Sequence, residues 1–166
     1  MFKKKFFSFF VCITFLLAST NVHAESISEC DILPESAKSL PSSGEFSPVK
    51  NTVSTLATNN CVPLYRYKVK HSEPFWGGDN AFATSESFKN CNGTVSYDSI
   101  EMVYAKAKLY KYGAFLTSAE DTTNHGFFAG ARATNTESTT SGLASFGEHK
   151  FKKQGYMEHN LFTYVN

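Results

Sequence analysis

TVSYDSIEMVYAKAKLYKYGAFLTS, residues 94–118, is the longest patterned run downstream of residue 24 that is free of proline and of polar clusters. From Val103 onward its residues alternate. Val103, Ala105, Ala107 and Leu109 share one parity, while Tyr104, Lys106, Lys108, Tyr110 and Tyr112 share the other. An extended chain sends successive side chains to opposite faces, so this parity predicts a half-buried strand with one small apolar face and one face of lysines between tyrosines. A helix competes for the same residues. Asp98-Ser-Ile-Glu101 has the form of a capping box, Ile100, Val103, Ala107 and Tyr110 recur near helical spacing, and Gly113 would end the run. The aromatic alternation and the flanking segments favour the strand.

Upstream, Tyr65, Tyr67 and Val69 alternate with Arg66, Lys68 and Lys70, which predicts a second strand with differently charged faces. Pro63 cannot donate to a ladder and belongs at an edge or at a first strand position. Asn92-Gly93, between Phe88 and Val95, accepts positive φ at both positions and reads as a two-residue hairpin turn. Downstream, residues 119–125 are polar and turn-like, residues 126–136 alternate again, and residues 135–142 form a Ser/Thr-rich loop. Residues 143–151 and 156–165 flank Lys152-Lys153-Gln154-Gly155. A four-residue loop there would set Phe151 against Tyr156, His149 against Glu158 and Glu148 against His159, giving favourable cross-strand pairs. Short strands separated by polar turns about ten residues apart predict an all-β fold, an antiparallel sandwich or barrel-like domain of about six to eight strands.

The chain divides into three parts. Residues 1–24 have the form of a secretory signal peptide: Lys3, Lys4 and Lys5, an apolar stretch from Phe6 to Ala18, and Val22-His23-Ala24 as the cleavage site. The apolar stretch reaches only about 20 Å as a helix, short of the roughly 30 Å hydrocarbon core. Cleavage after Ala24 and a secreted or periplasmic destination are expected, and the composition suits bacterial export. Residues 25–60, rich in Ser, Thr, Asn and Pro, read as an irregular leader or strap, in which Pro34 could open a short helix. Residues 61–166 form the β-rich domain.

Without the three signal lysines, 13 basic side chains face 15 acidic ones, a net charge of −2. Such a balance, with no basic stripe, argues against nucleic acid as a partner. Cys30, Cys61 and Cys91 remain after cleavage. In an oxidising compartment the simplest arrangement of an odd count is one bridge and one free thiol, with an intermolecular bond as the other, and Cys61 with Cys91 is the favoured pair because both flank predicted strands.

Local chemistry is sparse. His71, His125, His149 and His159 lack metal-ligand spacing, no nucleophile elbow or phosphate-binding loop is present, and no cofactor is implied. The most suggestive stretch is Pro74-Phe75-Trp76-Gly77-Gly78-Asp79-Asn80. Phe75 and Trp76 offer flat rings, the glycines admit close approach, and Asp79 and Asn80 can bond hydroxyls, a set suited to a sugar or a protein anchor. The same rings could instead plug the end of a core. The expected function is binding of a glycan or a protein partner at a cell surface. A membrane-active toxin built on the small residues of 126–136, or a secreted hydrolase whose carboxylates meet only in space, are the alternatives.

Overall fold

A computed structural model describes residues 32–50, 61–72, 78–136 and 141–166. Among these residues it contains a 3-10 helix, Glu35–Ser39, and nine strands: β1 Ser43–Phe46, β2 Cys61–Ser72, β3 Asn80–Cys91, β4 Thr94–Tyr97, β5 Ile100–Lys111, β6 Ala114–Gly126, β7 Phe128–Thr134, β8 Leu143–Lys152 and β9 His159–Val165. They form two antiparallel sheets packed face to face. One has the order β1-β2-β3-β4, with β7 also on β3, and the other the order β6-β5-β8-β9. The fold is an all-β sandwich. Its strand number exceeds the expected six to eight because β6 runs straight through the polar residues 119–125 and because the segment read as an irregular strap supplies β1.

β5 carries the predicted parity. Val103, Ala105, Ala107 and Leu109 have no exposed surface and lie in the core with Ala81, Ala83, Ala129, Ala131 and Ala133. Small side chains on facing strands let the two sheets approach closely. The larger core members gather at one end, where Tyr65 stacks on Phe151 at 4.5 Å and Phe46 meets Tyr65 edge-on at 5.3 Å.

The turns follow backbone chemistry. Asn92 and Gly93 take φ of 53° and 88° and join β3 to β4, as predicted. Tyr112 and Gly113, at 50° and 83°, make the same kind of turn between β5 and β6. The β8–β9 connection departs from expectation. Phe151 pairs with His159, Glu148 with Phe162 and His149 with Leu161, so neither acid-imidazole pair forms. A turn within the connection, closed by the Tyr156 N–H on the Lys153 carbonyl with Gly155 at φ 80°, leaves residues 153–158 as the loop. The core decides this register, because it draws His149 inward as a fully buried side chain.

β3 uses its outer edge twice. β7 pairs with its residues 80–86 and β4 with its residues 88–91, while Ser87 between them donates to Phe127 and accepts from Asp98 through the backbone. On one side of the sandwich β6 turns directly into β7, and the Asp121 carboxylate accepts the Gly130 N–H at 2.8 Å across that seam. On the other side the strap closes the gap. Its 3-10 helix covers Tyr110 and Ala144 on the outside of the β6-β5-β8-β9 sheet, the Pro41 carbonyl accepts from Tyr164 of β9, and the Ser42 carbonyl accepts from Val69 just before β1 begins. A bulge, with β6 shifted opposite Leu109 and Tyr110, puts Phe115 under the same strap. Cys61 and Cys91 are register partners at the end of the β2–β3 hairpin and form the disulfide, with Cα atoms 4.1 Å apart. No helix among the described residues is long and apolar enough to cross a membrane.

Candidate functional site

Of the four histidines downstream of residue 24, His149 is the most constrained, and its bonds can be assigned by elimination. Ser85 Oγ lies 2.7 Å from the Tyr104 carbonyl, which can only accept, so the hydroxyl proton goes there. Toward His149 Nδ1, 2.9 Å away, Ser85 must therefore accept. Nδ1 carries the ring proton, and Nε2 accepts from Thr163 Oγ1 at 2.9 Å. The ring is neutral with both nitrogens satisfied, and burial pushes its pKa down to about 4. Ser85 and His149 resemble a nucleophile and its base. They cannot act so, because the serine proton is committed to a carbonyl and both residues are wholly buried. Glu148, once expected opposite His159, points outward and pairs with Lys108 at 2.9 Å.

That outer face of β5 and β8 carries the tyrosine and lysine alternation. Acids from neighbouring strands neutralise it: Lys106 meets Glu120 at 3.4 Å, and Tyr104 donates to the same carboxylate at 2.9 Å. At the disulfide-bearing end of the molecule Lys153 is ion-paired with Asp98 beneath Tyr156. Burial, with Asp98 nearby, raises the Tyr65 phenol well above its ordinary range. Among the described residues no group of three His, Cys, Asp or Glu is arranged to hold a metal ion.

Phe75 and Trp76 lie outside the described residues, as does Cys30. Asp79 and Asn80 are described and are 3% and 2% exposed. Asn80 donates to the Gly78 carbonyl and accepts from Arg132 Nε at 2.9 Å and Thr134 Oγ1 at 2.8 Å, while the Asp79 carbonyl accepts from Asn135. Both ends of the Asn80 amide are thus engaged with protein. The pair fastens the start of β3 to the end of β7.

The open site lies farther along the same strands. Even-numbered residues of β2 and β3 face outward, and in register with β1 and β7 they form two rows: Glu45, Arg66, Glu86 and Phe128, then Ser43, Lys68, Thr84 and Gly130. A groove of about 360 Å³ crosses these rows. Gly44 and Tyr67 also line it, and on the inner face of the sheet behind them a Cβ on Gly44 would stand 2.2 Å from the Tyr67 hydroxyl, so only glycine leaves the core-packed tyrosine its place. Arg66 is paired with Glu45, and its guanidinium lies 4.6 Å over the Phe88 ring. Lys68 and Glu86 have no ion-pair partner among the described residues, and Thr84 Oγ1 is buried with no hydrogen-bond partner. Beyond the groove the surface turns aromatic. Phe128 is 43% exposed and Phe127 42%, and Tyr97 packs on Phe88 at 5.0 Å and on Phe127 at 4.4 Å.

The sequence marks Arg66 and Lys68 only as a solvated strand face. The missing information is strand order, since the face exists only once β1 and β7 flank β2 and β3. A usable sign was present in residues 126–136, where Phe128, Gly130 and Arg132 fall on the parity opposite the core alanines. Comparison of the chain with protein-family models, with curated proteins and with solved structures finds no match.

Proposed function

We propose that this is an exported binding protein that engages a partner at a cell surface through the outer face of the β1-β2-β3-β7 sheet. The observation that carries the proposal is the 360 Å³ groove lined by Lys68, Thr84 and Glu86, with exposed Phe128 next to it as the register partner of Glu86 and exposed Phe127 and Tyr97 beyond. Polar groups without partners beside exposed rings are the composition of a recognition surface rather than of an inert one. Export is supported by the signal-like first 24 residues and agrees with a disulfide between Cys61 and Cys91. Residues 73–77, which include Trp76, fall in the sequence between β2 and β3, two of the strands that carry the groove. The small residues on which a membrane-active reading rests, Ala129, Ala131 and Ala133, are buried between the sheets, so membrane insertion would require the sandwich to open.

The test is retention of tagged, processed protein on intact bacterial cells and on immobilised glycans, with wild type compared to a Lys68→Glu, Phe128→Ser double variant. Wild type is expected to be retained and the variant to lose about tenfold or more in affinity. Equal retention of the two would remove this face from the function, and retention of neither on any surface would remove binding itself.

A further inference from the structure

We propose that the ligand of this groove is an uncharged, hydroxyl-rich saccharide chain that stacks on Phe128 and hydrogen-bonds Thr84, Glu86 and Lys68, an inference that rests on the binding role proposed above. Charge is the first argument. The groove holds two cations, Arg66 and Lys68, and two carboxylates, Glu45 and Glu86, and so has no net charge to attract a polyanion or an anionic membrane surface. Glu45 and Arg66 already satisfy one another.

What remains unpaired is one cationic donor on Lys68, one carboxylate acceptor on Glu86 and, beneath the groove surface on β3, the buried Thr84 hydroxyl, which can do either. The orphaned Thr84 Oγ1 is the second argument, since a buried polar atom without a partner costs free energy until one arrives. Sugar hydroxyls both donate and accept, so they can meet Lys68 and Glu86 directly and Thr84 once a side chain over it shifts.

The third argument is the ring. A Cβ on Gly130 would lie 2.9 Å from two ring carbons of Phe128, so the ring lies back across Gly130, on the β7 side of Thr84 and Glu86. With 43% of its surface open, Phe128 offers a flat apolar platform next to the hydrogen-bonding groups. The C–H faces of a pyranose fit such a ring while its equatorial hydroxyls reach sideways. The rows cross four strands, about 14 Å at the usual strand spacing, room for a short oligosaccharide. An extended peptide would instead seek unpaired backbone at a sheet edge. The groove runs over the middle of the sheet, where the backbone groups of β2 and β3 are bonded to their neighbours on both sides.

Calorimetric titration of the processed protein with cellohexaose, chitohexaose and maltohexaose, and with a heparin hexasaccharide as the charged comparator, tests the inference. At least one neutral hexasaccharide is expected to bind. Phe128→Ala should weaken it about tenfold or more, Glu86→Gln and Thr84→Val should each weaken it several-fold, and heparin should not compete. Thermal melts of each variant show whether the fold is kept, and Glu86→Gln, an exchange of similar shape, supplies the readout if Phe128→Ala destabilises the domain. Binding unaffected by all three substitutions, or stronger binding to heparin than to any neutral chain, overturns the inference. If no saccharide binds while the cell-surface retention described above persists and still depends on Lys68 and Phe128, the sugar assignment falls and a protein partner takes its place. If that retention is absent too, both fall.

Discussion

His149 shows how far a single residue can depart from its neighbours in sequence. Its flanking Glu148 and Lys150 are surface residues, yet the strand parity turns the imidazole into a core of alanines, where Ser85 and Thr163 supply its two hydrogen bonds. Gly147 makes the arrangement possible, for a Cβ there would stand 2.4 Å from Thr163 Oγ1 and 2.8 Å from His149 Nε2. Burial lowers the pKa from 6.5 to about 4, so the folded state favours the neutral ring. The stability this confers is complete above pH 6.5 and is lost as the pH falls from 6.5 through 4, where the unfolded chain takes up a proton that the folded one refuses. The difference amounts to about 3 kcal/mol at full protonation. Urea unfolding at pH 7 and pH 4 should therefore show a drop in wild type that exceeds the drop in His149→Leu by roughly that amount. Equal pH dependence in the two proteins would show that the ring does not stay neutral in the core. Sequence reading missed this role because it assigned His149 by the length of the adjacent turn. Nothing local in Phe-Gly-Glu-His-Lys announces that serine and threonine from two other strands wait inside.

Among elements, β5 and β6 mark the limit of what pattern can reveal. β5 is legible because its inner face is aliphatic and its outer face is not. β6 alternates just as regularly, but its inward positions are Thr117, Ala119, Asp121 and Thr123, and hydrophobic periodicity does not register polar residues that face a seam. The Asn92-Gly93 turn and the Cys61–Cys91 bridge were legible for a different reason, since both depend on local chemistry, positive φ in one case and redox pairing in the other. The bridge spans 30 residues and joins the open ends of the β2–β3 hairpin. Closing a loop of that length restricts the unfolded chain and is worth up to about 4 kcal/mol in the chain-entropy view. Reduction, or a Cys61→Ser, Cys91→Ser double variant, is expected to lower the unfolding free energy by about 2–4 kcal/mol and leave the far-ultraviolet circular dichroism at low denaturant unchanged. An unchanged midpoint would mean that the unfolded chain already keeps the two ends together.

At the scale of the whole molecule, the sandwich is held shut along two unlike sides. The strap closes one by lying over the β6-β5-β8-β9 sheet and then joining the opposite sheet as β1. The other side is the corner between β6 and β7, where the only side-chain bond the two strands share among the described residues runs from the Gly130 N–H to the Asp121 carboxylate. Strand edges left unpaired invite pairing with another chain, and an inward-pointing charge is one way a fold prevents it. Asp121 serves both ends at once. Its carboxylate occupies an edge N–H of β7, and its charge would be stranded if a foreign strand covered the seam. Asp121→Ala should cost about 1 kcal/mol, a modest figure because the bond is exposed to water, and should also make the protein associate as its concentration rises. Asp121→Asn keeps the acceptor and removes the charge, and is expected to recover the stability while still associating more than wild type. Unfolding curves and light scattering across a hundredfold range of concentration separate the two contributions. If Asp121→Ala stays monomeric throughout, the charge is not what guards the edge, and the protection lies in the close packing of β7 against β6.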